Sequence, residues 1–395
     1  MQKQMRAIFI LSGTAIGSGM ISLPLVLAHI GVASSILIML MCAFITYISA
    51  LIRTELNLHS DCRFTLELVG LKFSGKGAAL IGNISLRVLQ FALLSAYICG
   101  LSAVIGAGST ALKLAVACGV FVLLATSSGK IISINQKLFM TLLTVILFSI
   151  ICMMFNVTID SLPHNTNKIM LPQLCVVLPT LFTSFGFQGS LHSITKFCNN
   201  DKKMIKTACL WGSFLPAAVY IAWIVGVMTM IHNSQPELFA QMTTQGIGIS
   251  ELIHALCSVS NATIVKSAVF IISVLAIGTS IIGVGLALVD DLDLAIESFD
   301  KRLDNVWKKR ALSAGLAVVP AVFVAVLVPN AFVKVLSFAG MILAVIAIFL
   351  PTFLLCKIKA PLHFEILRRK WLVGLCVGFG VIVVLCELLS IIVPV

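Results

Sequence analysis

Long apolar runs separated by short polar connections make up most of the chain. Eleven of these runs have about the 20 residues that a helix needs to cross a bilayer. They cover residues 7–29, 31–52, 79–106, 112–128, 138–157, 173–195, 207–231, 264–289, 311–328, 332–356 and 371–394. The pattern predicts an all-α integral membrane protein with eleven transmembrane helices in a single transmembrane domain over residues 1–395.

The basic residues are concentrated in alternate connections between these runs. If the N-terminus is cytoplasmic, 22 of the 27 Lys and Arg residues lie on the cytoplasmic side, as the positive-inside rule requires. An odd number of spans then leaves the C-terminus external. The net charge of +12 is explained by this topology, so we expect no nucleic-acid partner.

Two of the runs are interrupted by glycine and hydroxyl residues. The first contains "SGTAIGSGM" (12–20) and the sixth contains "TSFGFQGS" (183–190), so the breaks stand five spans apart. If a unit of five spans is repeated, the second copy must enter the membrane from the side opposite to the first copy. The spacing therefore predicts inverted repeats at 7–157 and 173–356 with an extra helix at 371–394, and broken helices in matching places are typical of secondary transporters.

A helix broken inside the membrane exposes backbone groups that need a polar partner. The N–H groups around Ser18 and Gly19, at the start of an outer half-helix, favour a carboxylate. Carbonyls freed around Ser184 to Gly186 can accept from an ammonium group. These needs predict a zwitterionic amino acid as ligand; for the first span, the alternative is a helix-packing motif formed by Gly13 and Gly17.

Four segments carry a family resemblance: "GTAIGSGMISLPL" (13–25), "LLSAYICG" (93–100), "LPTLFTSFGFQGS" (178–190) and "TSIIGVGLALVDDL" (279–292). They resemble the bacterial hydroxy and aromatic amino acid permeases, most closely the tyrosine-specific members, within the amino acid/polyamine/organocation superfamily. The resemblance implies an inner-membrane location, a leucine-transporter-like fold of five plus five helices, and proton-driven uptake of L-tyrosine or a related amino acid.

The same resemblance implies a set of binding residues. Those for substrate are Gly17, Ser18, Gly19, Tyr97, Ser184, Phe185, Gly186, Phe187 and Gln188. Tyr97 would offer its phenol to the substrate carboxylate, and Phe185 and Phe187 would line an aromatic pocket; ordinary packing is the alternative for all three. Relatives often carry His where this chain has Gln188, and a neutral amide cannot titrate near neutral pH.

The coupling ion is not specified by the sequence. The ionisable residues within or at the ends of the spans are Arg87, Asp290, Asp291 and Glu387, and none stands beside a break. The family implies protons. Sodium is the alternative, because Ala276, Thr279 and Ser280, with carbonyls of Gly13 and Ile16, resemble a sodium site of this fold, although membrane Thr and Ser also commonly bond their own helix.

Other functions fit the sequence less well. We expect no enzyme and no cofactor or bound metal, because no span carries a catalytic motif. The alternatives are a tryptophan or serine/threonine carrier, a sodium-coupled carrier, and an amino-acid sensor that does not transport. The predicted partners are the amino acid and the bilayer.

A helical pattern at 248–257 predicts a helix in an outer connection. Its role is either to cap the vestibule or to lie as an ordinary interfacial helix.

Overall fold

The computed structural model describes residues 2–60, 66–106, 108–126, 138, 141–146, 149, 163, 171–244, 248–259, 263–299, 305–328 and 331–392. All regular structure in this part of the chain is helical. Most of the predicted fifth span, 138–157, lies outside the described residues, so its prediction stays a prediction.

Sixteen α-helices follow one another along the described chain. In order, α1 to α8 are Gln2–Ala15, Gly19–Leu27, Val32–His59, Leu66–Ser74, Lys76–Gly106, Thr110–Ala125, Leu171–Ser184 and Leu191–Phe197. The others, α9 to α16, are Lys202–Ser234, Pro236–Thr244, Ile249–Val259, Thr263–Phe299, Val306–Leu327, Ala331–Ala344, Leu350–Leu355 and Lys370–Ile392. Short 3₁₀ segments lie at Ala28–Ile30, Gln188–Ser190 and Glu365–Arg368, and Val345–Phe349 forms a π-helical turn between α14 and α15.

Long apolar helices occupy the positions that the hydrophobic pattern predicts for spans. Among the described residues, seven helices are long and apolar enough to cross a bilayer, and an eighth span is formed by the bent pair α1 and α2. Helix α6, with 16 residues, is a shorter apolar helix at the predicted fourth span. The sixth predicted span is divided between α7 and α8. The protein is therefore an all-helical, multi-span membrane protein.

The packing of the long helices places the two interrupted spans together. Helix α9 packs against α1 and α3, while α14 packs against α5 and α7. Helix α2, the second half of the first broken span, lies directly against α7. The last helix, α16, packs on α7 and α14. The breaks at 16–18 and 185–187 consequently face each other in the interior.

Charged residues tie α12 to α13 at one end of the bundle. Arg310 of α13 bonds Asp290 at 2.5 Å and Asp293 at 2.6 Å, and Lys309 pairs with Glu297. This is one of the connections in which the sequence concentrates basic residues.

The helix predicted at 248–257 is present as α11, which packs against α2, α5, α9 and α12. Its contact with α2 places α11 over the first broken span.

Candidate functional site

The first broken span bends where its regular hydrogen bonding stops. Helix α1 ends at Ala15, α2 starts at Gly19, and their axes differ by 55°. The backbone N–H groups of Met20 and Ile21 donate to carbonyls three residues earlier, as in a 3₁₀ turn. The acceptors are Gly17 and Ser18, at 3.1 Å each. The N-terminal end of α2 therefore lies at the break, and it brings the partial positive charge of a helix start there.

The second broken span is interrupted more sharply. Helix α7 ends at Ser184, and the amide of Phe187 donates to the carbonyl of Phe185 at 3.0 Å in a tight turn. The 3₁₀ segment Gln188–Ser190 then leads into α8. Thr183 holds the end of α7 in place, since its hydroxyl lies 2.9 Å from the Pro179 carbonyl and 2.8 Å from the Leu336 carbonyl of α14.

The two breaks touch through Gly19 and Ser184. A Cβ added to Gly19 would lie 2.7 Å from the Ser184 Cβ and 2.9 Å from its Cα, closer than real Cβ atoms approach. A Cβ on Gly17 would likewise lie 2.7 Å from the Ser280 hydroxyl oxygen of α12. Both glycines have negative φ, so they are needed for close approach of the helices and not for a left-handed backbone.

One buried phenol bridges the backbones of both broken spans. The hydroxyl of Tyr220, on α9, lies 2.8 Å from the carbonyl of Ala15 and 2.8 Å from the carbonyl of Ser184. Both carbonyls are at the last residue of a half-helix. Because a phenol has one proton, it can donate to only one of them at a time. The pair of carbonyls therefore forms an acceptor site with fewer donors than it can accommodate.

A second phenol and two hydroxyls surround the start of α2. Ser18 precedes α2 without capping it, and its side chain interacts with the phenol of Tyr97, which also interacts with Ser280. The backbone N–H of Ser18 donates to the Ser280 hydroxyl oxygen at 3.2 Å. Tyr97 and Ser18 are buried. The structure thus brings together three residues that are far apart in the chain and that the sequence assigns to substrate or ion binding.

The remaining predicted substrate residues lie in the second break. Phe185 and Phe187 are fully buried, and the Phe185 ring meets the Tyr220 ring edge-on at 5.4 Å. Gln188 donates from Nε2 to the Ser49 hydroxyl of α3 at 3.4 Å, while its buried Oε1 has no hydrogen-bond partner among the residues that the structure describes. Gly186 is packed too, since a Cβ there would lie 2.9 Å from the Thr183 carbonyl oxygen.

The hydroxyls proposed for a cation bond their own helix. Thr279 donates to the Leu275 carbonyl at 2.8 Å, and Ser280 donates to the Ala276 carbonyl at 2.8 Å. This is the common back-bonding of Ser and Thr in membrane helices. Ser280 still contacts the first break through the Ser18 amide, so α12 is positioned beside that break. Gly13 and Ile16 lie at the end of α1 and just after it.

The family is identified from the sequence over nearly its whole length. The model of the Tryptophan/tyrosine permease family matches residues 1–387. The chain belongs to the tryptophan/tyrosine permease family. It is therefore a permease and not an enzyme, and its relatives include carriers of aromatic amino acids.

Several relatives of this permease match along nearly their whole length. Tyrosine-specific transport system 1 of Haemophilus influenzae is 27% identical over 380 residues, which are 94% of this chain and 92% of that protein. Glutamine transporter 2 of Aliivibrio fischeri is also 27% identical, over 96% of this chain and 97% of its own. A tryptophan-specific transport protein of Pseudomonas aeruginosa is 25% identical, over 92% of this chain and 88% of that protein.

A solved transporter structure shares the fold. The Eremococcus coleocola manganese transporter superposes with a TM-score of 0.57 at 14% identity, covering 98% of the permease and 85% of the transporter. At this identity the likeness concerns the fold alone.

The ionisable residues in the spans contact residues outside the two breaks. Glu387 of α16 is buried and accepts from the Ser337 hydroxyl of α14. Arg87 lies near Asp291 of α12, which also hydrogen-bonds Gln90. The contacts resolved for these residues are with other helices and not with the breaks.

Three features of the site are absent from the sequence-based prediction. Tyr220 bridges the breaks, Ser49 holds Gln188, and Gly340 of α14 allows close contact with α7. The chain has only three tyrosines. A polar aromatic in an apolar run suggests a buried hydroxyl with a partner, but the pattern does not identify a partner 205 residues away.

Proposed function

We propose that this permease imports L-tyrosine by ion symport, through alternating access around the two facing breaks. The observation that carries the proposal is the Tyr220 bridge. It joins the carbonyl ends of α1 and α7, beside the N-terminal end of α2. Backbone acceptors next to backbone donors complement the ammonium and carboxylate of an amino acid.

The proposed contacts use the groups that the free protein satisfies incompletely. A substrate ammonium brings three donors to the carbonyls of Ala15 and Ser184, which otherwise share the single proton of Tyr220. The substrate carboxylate takes the N–H groups at Ser18 and Gly19, with Tyr97 as a further donor. Binding would then require Ser18 to exchange its bond with Ser280 for one with the ligand.

The preference for tyrosine rests on Gln188. Its Nε2 faces Ser49, whose own proton goes to the Ala347 carbonyl, so Ser49 can only accept here. This pattern orients the amide and leaves Oε1 free to accept. A phenolic hydroxyl supplies the missing donor, whereas phenylalanine leaves the buried oxygen unpaired. The indole N–H of tryptophan and the amide of glutamine are competing donors, and carriers of both are among the relatives.

A substitution at Gln188 tests this preference. Gln188→Leu removes the acceptor while retaining a similar volume, so we expect the selectivity for tyrosine over phenylalanine to fall about tenfold, as for one buried hydrogen bond. The measurement is the ratio of kcat/KM for the two substrates in proteoliposomes. Gln173→Leu, at the start of α7, is the matched control and should leave the ratio unchanged. An unaltered ratio in Gln188→Leu would remove the argument for tyrosine.

The membrane arrangement belongs to the same proposal. We propose eleven spans, the inverted repeats 7–157 and 173–356, and an added helix at 371–394, in the inner membrane of a bacterium. The N-terminus is proposed to lie in the cytoplasm and the C-terminus outside. The distribution of Lys and Arg and the presence of a broken span in each repeat support this arrangement.

We propose protons as the coupling ion, with sodium as the alternative. The family resemblance supports protons. Sodium is supported by the position of α12, because Ser280 lies beside the first break, where Thr279 and carbonyls of Gly13, Ile16 and Ala276 would complete an oxygen site. Ser280 and Thr279 would then turn their lone pairs toward the ion while they keep donating to α12.

Uptake of labelled L-tyrosine into proteoliposomes tests the carrier function. We expect accumulation above empty vesicles, reduced by excess unlabelled tyrosine more than by tryptophan, phenylalanine, glutamine or serine. A non-transporting sensor would bind tyrosine without accumulating it under any gradient. Stronger competition by tryptophan or glutamine would assign that amino acid as the substrate instead.

The coupling ion is identified by changing one gradient at a time. For proton coupling, a protonophore should abolish accumulation and replacement of sodium by choline should not. For sodium coupling the two results are reversed, and Ser280→Ala should then weaken the sodium dependence. Accumulation that survives both treatments would contradict ion symport.

A further inference from the structure

A carboxylate and two imidazoles converge away from the two breaks, at the end of α3. Glu55 and His59 lie on the last turns of α3, and His363 lies in the connection between α15 and α16. The Glu55 Oε1 atom is 2.9 Å from His59 Nε2 and 2.9 Å from His363 Nδ1. All three ligand atoms lie within 4.8 Å of one another. In the part of the chain that the structure describes, no other group of three such side chains converges in this way.

We propose that Glu55, His59 and His363 form a binding site for a divalent transition-metal ion of the Zn²⁺ type. Two imidazole nitrogens and one carboxylate oxygen are a common protein ligand set for zinc. In a tetrahedral site with bonds of about 2.0–2.2 Å, ligand atoms stand roughly 3.3–3.5 Å apart. The two carboxylate–imidazole separations, 2.9 Å each, are about half an ångström shorter than this value, and the two imidazole nitrogens lie within 4.8 Å of each other. An ion therefore requires movement of the two rings and leaves Glu55 in place.

The carboxylate of Glu55 is held for this role by the backbone. Its Oε1 accepts from the His363 amide at 2.7 Å, and its Oε2 accepts from the Phe364 amide at 3.0 Å. These two bonds do not use the imidazole nitrogens, so they can persist when an ion replaces the imidazole contacts. They then act as outer-shell bonds that orient a metal ligand.

The exposure of the three side chains fits an ion that enters from solvent. The Glu55 side chain is fully buried, whereas the side chains of His59 and His363 are 12% and 25% exposed. The rings lie with centroids 4.5 Å apart and tilted by 43°, so they line one side of the carboxylate. Water can fill the fourth position on the exposed side, and both imidazoles bind in their neutral form.

An ion here would join two parts of the fold. Helix α3 also carries Ser49, which contacts Gln188 of the second break. His363 belongs to the connection that follows α14 and α15 and leads into α16. Occupancy therefore restrains α3 relative to this connection. The binding site itself does not depend on the proposed transport function, and its test requires no transport.

The test measures Zn²⁺ binding to the full chain, purified without a histidine tag and stripped with a chelator. Calorimetry should show about one ion bound per chain, and thermal unfolding should shift upward with Zn²⁺. The double variant His59→Ala/His363→Ala should lose both effects. Each single variant should weaken binding at least about tenfold, since even an outer-shell loss costs about 10–100-fold. His254→Ala, at an exposed histidine of α11, is the control and should bind as wild type.

A spectroscopic variant keeps the test decisive if a substitution destabilises the protein. With Co²⁺ as the probe, His363→Cys should retain binding and add a thiolate-to-metal absorption band that the wild type lacks. Wild-type binding no stronger than that of the double variant would overturn the proposal, leaving a hydrogen-bonded Glu–His cluster. Zn²⁺ binding that survives the double variant would also overturn it, by placing the ion elsewhere.

Discussion

At the residue scale, the contact of Gly19 with Ser184 is the most sensitive point of the site. Any side chain at position 19 meets the backbone of α7, because a Cβ would stand 2.9 Å from the Ser184 Cα. Gly19→Val should therefore force the breaks apart and abolish tyrosine uptake, measured in proteoliposomes at equal protein density. Membrane insertion should persist, since the apolar character of the span increases.

The matched control for Gly19→Val is Gly119→Val on α6. No atom of the described residues lies within 4 Å of the place where a Gly119 Cβ would be, so the same substitution should leave uptake near the wild-type rate. Normal uptake by Gly19→Val would mean that the breaks do not need this close contact. Loss of uptake in both variants would instead indicate a general intolerance of valine.

Tyr220 tests the bridge between the two half-helix ends. Tyr220→Phe removes only the hydroxyl and keeps the ring that packs on Phe185. The carbonyls of Ala15 and Ser184 then lose their shared donor, at a cost of about 1 kcal/mol or more in a buried site. We expect kcat/KM for uptake to fall about tenfold.

Tyr47→Phe on α3 is the control for the bridge, because Tyr47 lies near Cys209 and not between the breaks. It should retain the wild-type kcat/KM. If Tyr220→Phe also transports normally, the bridge has no part in binding or in alternating access.

At the scale of elements, Gly340 sets the distance between α14 and α7. A Cβ at this position would lie 2.7 Å from the carbonyl carbon of Pro179, which belongs to rigid helix backbone. Gly340→Ala should therefore lower stability by about 1–3 kcal/mol, as overpacking does. A reduced temperature of thermal unfolding in detergent is the expected result. Gly315→Ala on α13 is the control, because the nearest described atom to its added Cβ would be on the Phe121 ring at 3.9 Å; this variant should unfold near the wild-type temperature.

The positions of the elements were largely predictable, and their mutual contacts were not. The pattern of apolar runs and the two glycine-rich interruptions predict where α1 stops and where α7 stops, because backbone groups in lipid must be satisfied locally or face a polar site. Close packing at Gly340 depends on which helix lies opposite. Periodicity contains no information on this, since many helix pairs can bury the same apolar face.

At the scale of the whole molecule, the distribution of basic residues predicts the orientation. Fusion of alkaline phosphatase after residue 395 should give active enzyme, and fusion of green fluorescent protein at the same place should give little fluorescence, because the C-terminus is predicted to be external. A fluorescent protein fused before residue 1 should fluoresce in the cytoplasm. A fluorescent C-terminal fusion would contradict an odd number of spans with the N-terminus inside.

The amino-acid sequence identifies the family, and it is sufficient to predict the helical membrane character and the places where two spans break. These properties depend on local composition: an apolar run of sufficient length must be helical in lipid, and its interruptions stand where the glycine and hydroxyl residues are. The bridge from Tyr220 to Ala15 and Ser184, and the contact of Glu55 with a histidine 308 residues away, are known only from the folded protein. Such contacts depend on how helices pack, because a hydrogen bond requires a partner within about 3 Å, whatever its distance along the chain.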